Sequence, residues 1–528
     1  RIHSQTRSLS FWICYPHLDD IYSNRNNMKF VIIQILITMC SSQIVDYWNP
    51  LDPVLKHIKT ETNKVQNFVD DQTMKVKKFT QEQKTKFENA LISGYKEAQK
   101  VKESFNNYID EKQKFIGNEV NNYMEGVKET REINIEPVSQ FSRLDYPEMV
   151  LTVPAIIIKN GYKCETHTIV SQGYILNAHR IPGAKDKRKA PLKTVLLQHG
   201  IFASSADWIL NGPEKGLAYV LADAGYDVWM TNIRGNKYSR EHVHLKTDSK
   251  EYWNFSWHEV AKFDVPEVID YIIKLKRVDT KITFIGHSMG TTILFAMLAL
   301  RPEYNYILSA GIALAPVAFM SDVKSPLKSL APLASNVGYM EMIYGSKEFL
   351  PKDSMLGKLY SSCHADSLNV GLCKSVMFYL CGRDEKQFNI TLLPVFISNF
   401  GTGTSWKTAT HFAQGISSGR FQQFDYGYNK NMEKYGLPQP PEYDLSQVTL
   451  PLTLFWAQND LLSSEKDVDT LFGKLPKYTE KYLVPFAEFN HLDYLWAVDA
   501  NKLVNNKVLE TLGRVYSTEL FSIFDFKF

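Results

Sequence analysis

Residues 281–292 read Lys-Ile-Thr-Phe-Ile-Gly-His-Ser-Met-Gly-Thr-Thr, and they are the most informative stretch of the chain. Its apolar, β-branched first half is typical of a buried strand, and the residues after Gly290 are compatible with an apolar helix. Gly286, Ser288 and Gly290 form a Gly-x-Ser-x-Gly pattern at the turn between the two. The turn is so sharp that the pattern predicts a strained backbone at Ser288. Glycine is needed at 286 and 290 because a Cβ at either place would collide with the neighbouring strand or helix. Ser288 is therefore the candidate nucleophile.

A serine hydroxyl is a weak nucleophile, so it needs a base, and that base needs an acid to orient it. In α/β-hydrolases these groups follow one another in the order Ser, Asp, His, each after a late strand. Residues 451–457 read as a buried strand that leads into a loop containing Asp460. Residues 482–485 read as another strand, and the segment after it ends at His491. A turn residue is the alternative for Asp460, and His491 alone would be read as a solvated loop histidine, but their order after Ser288 predicts a catalytic triad.

An acyl-transfer site also needs two amide donors for the oxyanion of the tetrahedral intermediate. One donor is expected at Met289, the residue after the nucleophile. The other is expected at Ile201, in a His-Gly-Ile-Phe loop that follows a strand at 194–198. Both donors are main-chain groups, so their side chains can vary. We interpret His199 as a scaffold of this loop and His287 as a structural neighbour of the nucleophile.

The order of elements predicts an α/β fold with a mostly parallel central sheet, since short strands alternate with helical stretches. The predicted strands lie near 194–198, 226–231, 281–286, 307–314, 451–457 and 480–485. The interval from about 317 to 445 is far longer than a crossover needs. We expect it to form a cap over Ser288, inserted in a hydrolase domain of residues 137–528.

With these motifs the chain resembles the acid lipases, the family that contains gastric lipase and lysosomal acid lipase. The likeness runs from about Tyr146 to the C-terminus and rests on several separate blocks. These blocks lie at 173–182, 197–208, 221–229, 232–236, 252–257, 262–266 and 489–493. Carried over position by position, the family's triad falls on Ser288, Asp460 and His491, and its oxyanion donors on Ile201 and Met289. The family usually has Gln where this chain has Met289, which retains the backbone amide and loses the side-chain amide.

Six cysteines are too few for a disulfide scaffold in a chain of 528 residues. The resemblance implies a cap disulfide between Cys363 and Cys373, followed by a free Cys381. Such a bridge requires an oxidising compartment and so indicates a secretory route. Two glycosylation sequons, at Asn254 and Asn389, point the same way. We prefer Asn389, because Asn254 lies in an aromatic-rich run that is expected to be partly buried.

The N-terminal region reads as a targeting segment. Residues 28–43 combine a lone basic residue, about ten apolar residues and small residues at a cleavage position, which is typical of a signal peptide. We interpret residues 1–27 as upstream sequence, normally untranslated, or as a disordered segment. The apolar run is too short for an ordinary transmembrane helix, and no other stretch reaches about 18 apolar residues, so we expect no membrane span. The resulting expectation is a secreted or lysosomal protein.

Residues 44–136 form a charged extension that the family resemblance does not cover. Between 54 and 136 there is no proline, and apolar residues recur at the spacing of an amphipathic helix. A helical appendage that packs on itself or on the hydrolase domain is one interpretation. A coiled-coil surface for a protein partner within 54–131 is a second, and a lipid-surface anchor is a third.

The composition excludes several classes of function. The net charge of +3 gives no electrostatic case for nucleic acid binding. No zinc-type cluster, P-loop or dinucleotide fingerprint occurs, so neither metal nor cofactor is expected. The sequence instead favours a serine hydrolase that cleaves carboxylic esters of lipids, acylglycerols or sterol esters, at an oil–water or membrane interface. A short-chain carboxylesterase, an acyltransferase on the same fold, and an inactive hydrolase-fold scaffold are the alternatives.

Overall fold

A computed structural model describes most of the hydrolase region of the chain. The described residues are 147–149, 151–185, 193–276, 281–345, 347–349 and 370–524. The segment 1–27, the expected signal peptide at 28–43 and the extension at 44–136 lie outside this part of the chain. The expectations for these three regions therefore stay predictions.

The described strands form one large sheet and one small one. Their bounds are β1 Glu165–Ser171, β2 Tyr174–Ile181, β3 Thr194–Gln198, β4 Asp227–Met230, β5 Glu241–His242, β6 Ile282–His287, β7 Leu308–Leu314, β8 Glu348–Phe349, β9 Thr404–Ser405, β10 Leu452–Trp456 and β11 Glu480–Leu483. The large sheet has the order β1-β2-β4-β3-β6-β7-β10-β11, with β5 paired to β2. Within this sheet, the neighbouring strands in the run β4-β3-β6-β7-β10-β11 all pair in parallel. The predicted mostly parallel α/β sheet and its six strands are confirmed.

The expected strands did not include β1 and β2, which form an antiparallel pair at the edge of the sheet. A two-residue turn at Gln172 and Gly173 joins them, and both residues have positive φ values of 49° and 88°. This is the geometry of a tight hairpin turn, which Asn-Gly or Asp-Gly normally signals in a sequence. Glutamine rarely adopts the left-handed conformation, so the hairpin carries no such signal.

Helices cover both faces of the sheet. Their bounds are α1 Val153–Lys159, α2 Leu217–Asp223, α3 Trp257–Glu259, α4 Val265–Lys276, α5 Met289–Leu300, α6 Tyr304–Ile307, α7 Leu327–Ala334, α8 Val337–Tyr344, α9 Val370–Cys381, α10 Leu393–Asn399, α11 Trp406–Ser418, α12 Tyr428–Tyr435, α13 Glu465–Phe472, α14 Asp493–Trp496 and α15 Asn506–Phe524. A π-helical turn at Val260–Asp264 joins α3 to α4. In α5 every residue from Met289 to Leu298 is buried, so all but the last two residues of this helix lie inside the protein.

The chain between β7 and β10 forms an insertion, whose described residues include helices α7 to α12 and the small β8–β9 sheet. Helix α11 anchors the insertion to the main domain through a buried ion pair. The Lys407 ammonium lies 3.0 Å from the Glu259 carboxylate, and the Lys407 side chain is 2% exposed. Burial disfavours the ionised Glu259, but the neighbouring Lys407 and His258 outweigh it and hold the pKa of Glu259 at about 2. The base of the insertion is therefore fixed to the hydrolase domain.

A second buried ion pair lies within the main domain and joins Arg234, in the loop after β4, to Asp264 in the π-helical turn. The Arg234 guanidinium donates hydrogen bonds to both carboxylate oxygens of Asp264, one of them 2.8 Å long. Both side chains are 3% exposed, and the guanidinium stacks over the Tyr174 ring at 4.2 Å. Removing one member of such a pair leaves an uncompensated charge in the interior.

We expect Asp264→Ala to lower the free energy of unfolding by about 3–5 kcal/mol, because it strands the buried Arg234. Glu303→Ala is the control, since Glu303 pairs with Arg301 at the surface. Its loss is expected to stay below about 1 kcal/mol. Chemical denaturation with matched m-values measures both. Equal losses in the two variants would contradict the burial argument.

Candidate active site

Ser288 lies at the sharp turn between β6 and α5, where the sequence predicts a nucleophile elbow. Its φ and ψ of 53° and −118° are strained for a residue with a side chain. A Cβ on Gly286 would come within 2.6 Å of the Gly290 carbonyl carbon, and a Cβ on Gly290 would strike the Gln198 carbonyl oxygen. The Ser288 amide is held by the carbonyl of Leu314 at 3.0 Å. The turn thus has the strained geometry expected from the sequence.

Ser288, His491 and Asp460 meet in one continuous hydrogen-bond chain. His491 Nε2 lies 2.8 Å from the Ser288 hydroxyl, and Nδ1 lies 2.8 and 2.9 Å from the two Asp460 carboxylate oxygens. Asp460 can only accept, so Nδ1 carries the proton and Nε2 accepts from the hydroxyl. The three side chains are 8% or less exposed. The chain can therefore draw a proton from the serine and keep the resulting imidazolium next to a carboxylate.

The loops that carry Asp460 and His491 are tied together by a residue of the insertion. The Cys381 carbonyl, at the end of α9, accepts hydrogen bonds from the Leu461 amide at 3.4 Å and from the His491 amide at 3.3 Å. The Asp460 carboxylate itself accepts from the Leu462 and Ser463 amides at 2.9 and 2.8 Å. Sequence reasoning missed this role of Cys381, because a main-chain carbonyl leaves no side-chain signature.

His287 supports the loop of His491 from beneath. Its Nε2 donates a hydrogen bond to the His491 carbonyl at 2.9 Å. Full burial lowers the pKa of His287 to about 3, so this imidazole stays neutral near the site. The position agrees with a structural rather than a catalytic role.

Met289 directly follows Ser288 in the chain, and Ile201 follows Gly200, which packs against Ser288. Gly200 lies so close that a Cβ there would be 3.2 Å from the Ser288 Cβ. Within the described residues, neither the Ile201 amide nor the Met289 amide has a protein acceptor. Two N–H donors beside a serine hydroxyl suit a developing oxyanion.

His199 orients the first of these donors. Its Nε2 accepts from the Ile233 amide at 3.2 Å, so Nδ1 carries the proton and donates to the Gly200 carbonyl at 2.7 Å. That carbonyl and the Ile201 amide belong to one planar trans peptide and point in opposite directions. Burial lowers the pKa of His199 to about 4, which preserves this tautomer in neutral and mildly acidic solution.

The two sequons differ from expectation in one respect. Asn254 is exposed, although it was expected to be partly buried, because Trp253 and Phe255 on either side take the buried positions. Ser256 of the same sequon is buried in the cap of α3. Asn389 is half-buried, and its side chain accepts from the amide and hydroxyl of Thr391 at 3.2 and 2.6 Å. Accessibility therefore does not favour Asn389 over Asn254.

Cys381 is a free thiol, and burial raises its pKa far above the usual range. The side chains of Cys363 and Cys373 fall outside the described part of the chain, so their bridge stays a prediction. Among the described residues, no group of three His, Cys, Asp or Glu side chains is arranged to hold a metal. No described helix is long and apolar enough to cross a membrane.

Comparisons with known proteins show which family the chain belongs to. The family model described as "alpha/beta hydrolase fold" matches residues 193–498, and that described as "Partial alpha/beta-hydrolase lipase region" matches residues 153–212. Lipase 1 of Drosophila melanogaster is 38% identical over 70% of this chain and 81% of its own length. Gastric triacylglycerol lipase of Rattus norvegicus is 38% identical over 70% of this chain and 93% of its own. The human gastric enzyme is 37% identical over 70% of this chain and 92% of its own. The chain belongs to the gastric and acid lipase family, within the α/β-hydrolase fold.

Proposed function

We propose that this protein is a serine hydrolase that cleaves carboxylic ester bonds of lipids through an acyl-enzyme. The observation that carries the proposal is the continuous hydrogen-bond chain from the Ser288 hydroxyl through His491 to Asp460. Two further observations support it: the amides of Ile201 and Met289 have no acceptor among the described residues, and relatives of the chain are named triacylglycerol lipases. An activity-based serine probe tests the proposal directly, because its covalent labelling should be lost in Ser288→Ala.

The proposed reaction uses the three side chains in sequence. Ser288 Oγ attacks the ester carbonyl while His491 Nε2 takes its proton, and Asp460 stabilises the imidazolium that forms. His491 then protonates the leaving alcohol, which leaves the acyl group on Ser288. Water, activated by the same imidazole, attacks the acyl-enzyme and releases the fatty acid. The amides of Ile201 and Met289 stabilise the oxyanion in both tetrahedral intermediates.

The names of the relatives favour lipid esters over small soluble ones, and acylglycerols or sterol esters are the proposed substrates. The insertion supports this choice, since α9 exposes Val376 and Tyr379, which lie three residues apart on one helix face. We propose that residues from about 317 to 445 act as a cap, whose apolar surface is buried when the enzyme meets a lipid interface. A short-chain carboxylesterase or an acyltransferase would use the same three side chains.

A secretory route, leading to a secreted or lysosomal protein, belongs to the same proposal. It is supported by the signal-peptide pattern at 28–43, by the expected bridge between Cys363 and Cys373, and by the sequons at Asn254 and Asn389. The extension at 54–131 is proposed as a helical appendage or a surface for a protein partner, on the basis of its amphipathic, mixed-charge pattern alone.

Substitution of the triad should abolish turnover while leaving the fold intact. We expect Ser288→Ala and His491→Ala each to lower kcat by several orders of magnitude, with Asp460→Asn somewhat less severe. Because the three groups act as a unit, the double variant Ser288→Ala with His491→Ala should be little worse than Ser288→Ala. Steady-state kinetics on a soluble ester measure this. Near-normal turnover in Asp460→Asn would mean that the acid is wrongly assigned.

The Met289 position separates the backbone donor from its side chain. Met289→Gln should change turnover by no more than about tenfold, or roughly 1.4 kcal/mol, because the amide is unchanged. Met289→Pro should abolish activity by removing the N–H, although the first position of a helix tolerates proline. Glu465→Pro, at the exposed first position of helix α13, is the matched control and should keep full activity. An active Met289→Pro enzyme would exclude this oxyanion hole.

Activity on emulsified long-chain esters should rise sharply above their solubility limit if the cap responds to an interface. Cys363→Ser should then weaken long-chain activity more than hydrolysis of a small soluble ester, since the bridge would restrict how the cap rearranges. Cys164→Ser, which removes a free thiol outside the insertion, is the control. Equal losses on both substrates would indicate simple destabilisation, and no loss on either would exclude a role for the bridge.

A further inference from the structure

The oxyanion loop contains a strained residue that the catalytic scheme does not explain. Phe202, directly after the donor Ile201, has a φ of 60°. A bulky aromatic residue rarely adopts this left-handed conformation, and it persists only where the surroundings enforce it. The residues that enforce it therefore also fix the position of the Ile201 amide.

One residue of the insertion holds the carbonyls of the two residues that follow Ile201. The Thr402 amide donates to the Phe202 carbonyl at 3.1 Å, and the Thr402 hydroxyl donates to the Ala203 carbonyl at 2.6 Å. Thr402 and Ala203 are 5% and 3% exposed, so water cannot readily replace these bonds. The Phe202 ring also lies against Phe349 and Phe400, with ring centroids 6.0 and 6.1 Å away, and both rings belong to the insertion.

The sequence around Thr402 is built for this close approach. Gly401 and Gly403 flank it, with φ values of 69° and 98°. A Cβ on Gly403 would lie 2.8 Å from the Gly235 carbonyl oxygen and 2.9 Å from the Arg240 guanidinium, so the insertion backbone sits directly on the main domain. The Gly-Thr-Gly turn therefore brings one hydroxyl and one amide to a fixed place above the oxyanion loop.

We propose that Thr402 is a positioning residue for the oxyanion hole, so that the insertion helps to build the site that it covers. The Gly200–Ile201 peptide is held on one side by His199, through the Gly200 carbonyl. Thr402 holds the chain directly after this peptide, through the carbonyls of Phe202 and Ala203. Loss of the hydroxyl leaves the Ala203 carbonyl unsatisfied, lets the turn at Phe202 relax and moves the Ile201 amide. This inference rests on the proposed hydrolase function.

Three variants test the inference. Thr402→Val keeps the shape and the amide but removes the hydroxyl, and Thr402→Ser restores the hydroxyl. Thr404→Val is the matched control, because the Thr404 hydroxyl is buried two residues away and has no partner among the described groups. The measurements are kcat and KM on a soluble short-chain ester, affinity for an alkyl boronic acid that mimics the tetrahedral intermediate, and the thermal midpoint.

We expect Thr402→Val to lower kcat about 10- to 100-fold, with KM changed less than about twofold and boronate affinity reduced in parallel. Thr402→Ser should recover most of the loss, and Thr404→Val should match the wild type. A Thr402→Val enzyme that loses stability but keeps kcat, or that changes KM alone, would overturn the inference while leaving the proposed function standing. Absence of Ser288-dependent turnover in the wild type would instead overturn the proposed function, and this inference with it.

Discussion

The backbone of Gly290 packs directly on the carbonyl of Gln198, and the geometry of the site depends on this contact. It joins the start of α5 to the end of the neighbouring strand β3, with no room for a side chain between them. The turn at Ser288 is consequently so tight that its backbone is strained, and its hydroxyl stands at the carboxyl end of the parallel strands. Loops that follow the other parallel strands end at this same edge, which is why partners distant in sequence can reach one serine.

The histidines around the nucleophile divide their roles according to burial and hydrogen bonding. His287 and His199 are fully enclosed, and burial lowers the pKa of each, so both act as neutral, directional parts of the scaffold. Of these three histidines, His491 connects the serine hydroxyl with a carboxylate, so it is the imidazole placed to accept the serine proton. The fixed tautomers of the scaffold histidines orient the main-chain groups on either side of the reaction centre.

The insertion contacts the loops of the candidate site, in addition to its proposed role as a cap. The carbonyl of Cys381 joins the loops of Asp460 and His491, and Thr402 is bonded to the loop that contains Ile201, the proposed oxyanion donor. The buried pair of Lys407 and Glu259 holds the base of the insertion in place. A rearrangement at a lipid surface would therefore have to spare these three contacts, or it would change the geometry of the site as it opened the way to substrate.

The parallel strands, the elbow, and the order of Ser288, Asp460 and His491 could be predicted from the sequence, because each has a local signature. Glycines two residues before and two residues after a serine indicate a sharp turn, and a short run of β-branched residues indicates a buried strand. The folded structure was needed to reveal the β1–β2 hairpin, whose Gln172 is an unusual residue for a left-handed turn, and the exposure of Asn254 between two buried rings. It alone also showed the bonds from Cys381 and Thr402. Those bonds join residues far apart in the chain and end at main-chain carbonyls, which every residue type possesses, so no pattern of side chains announces them.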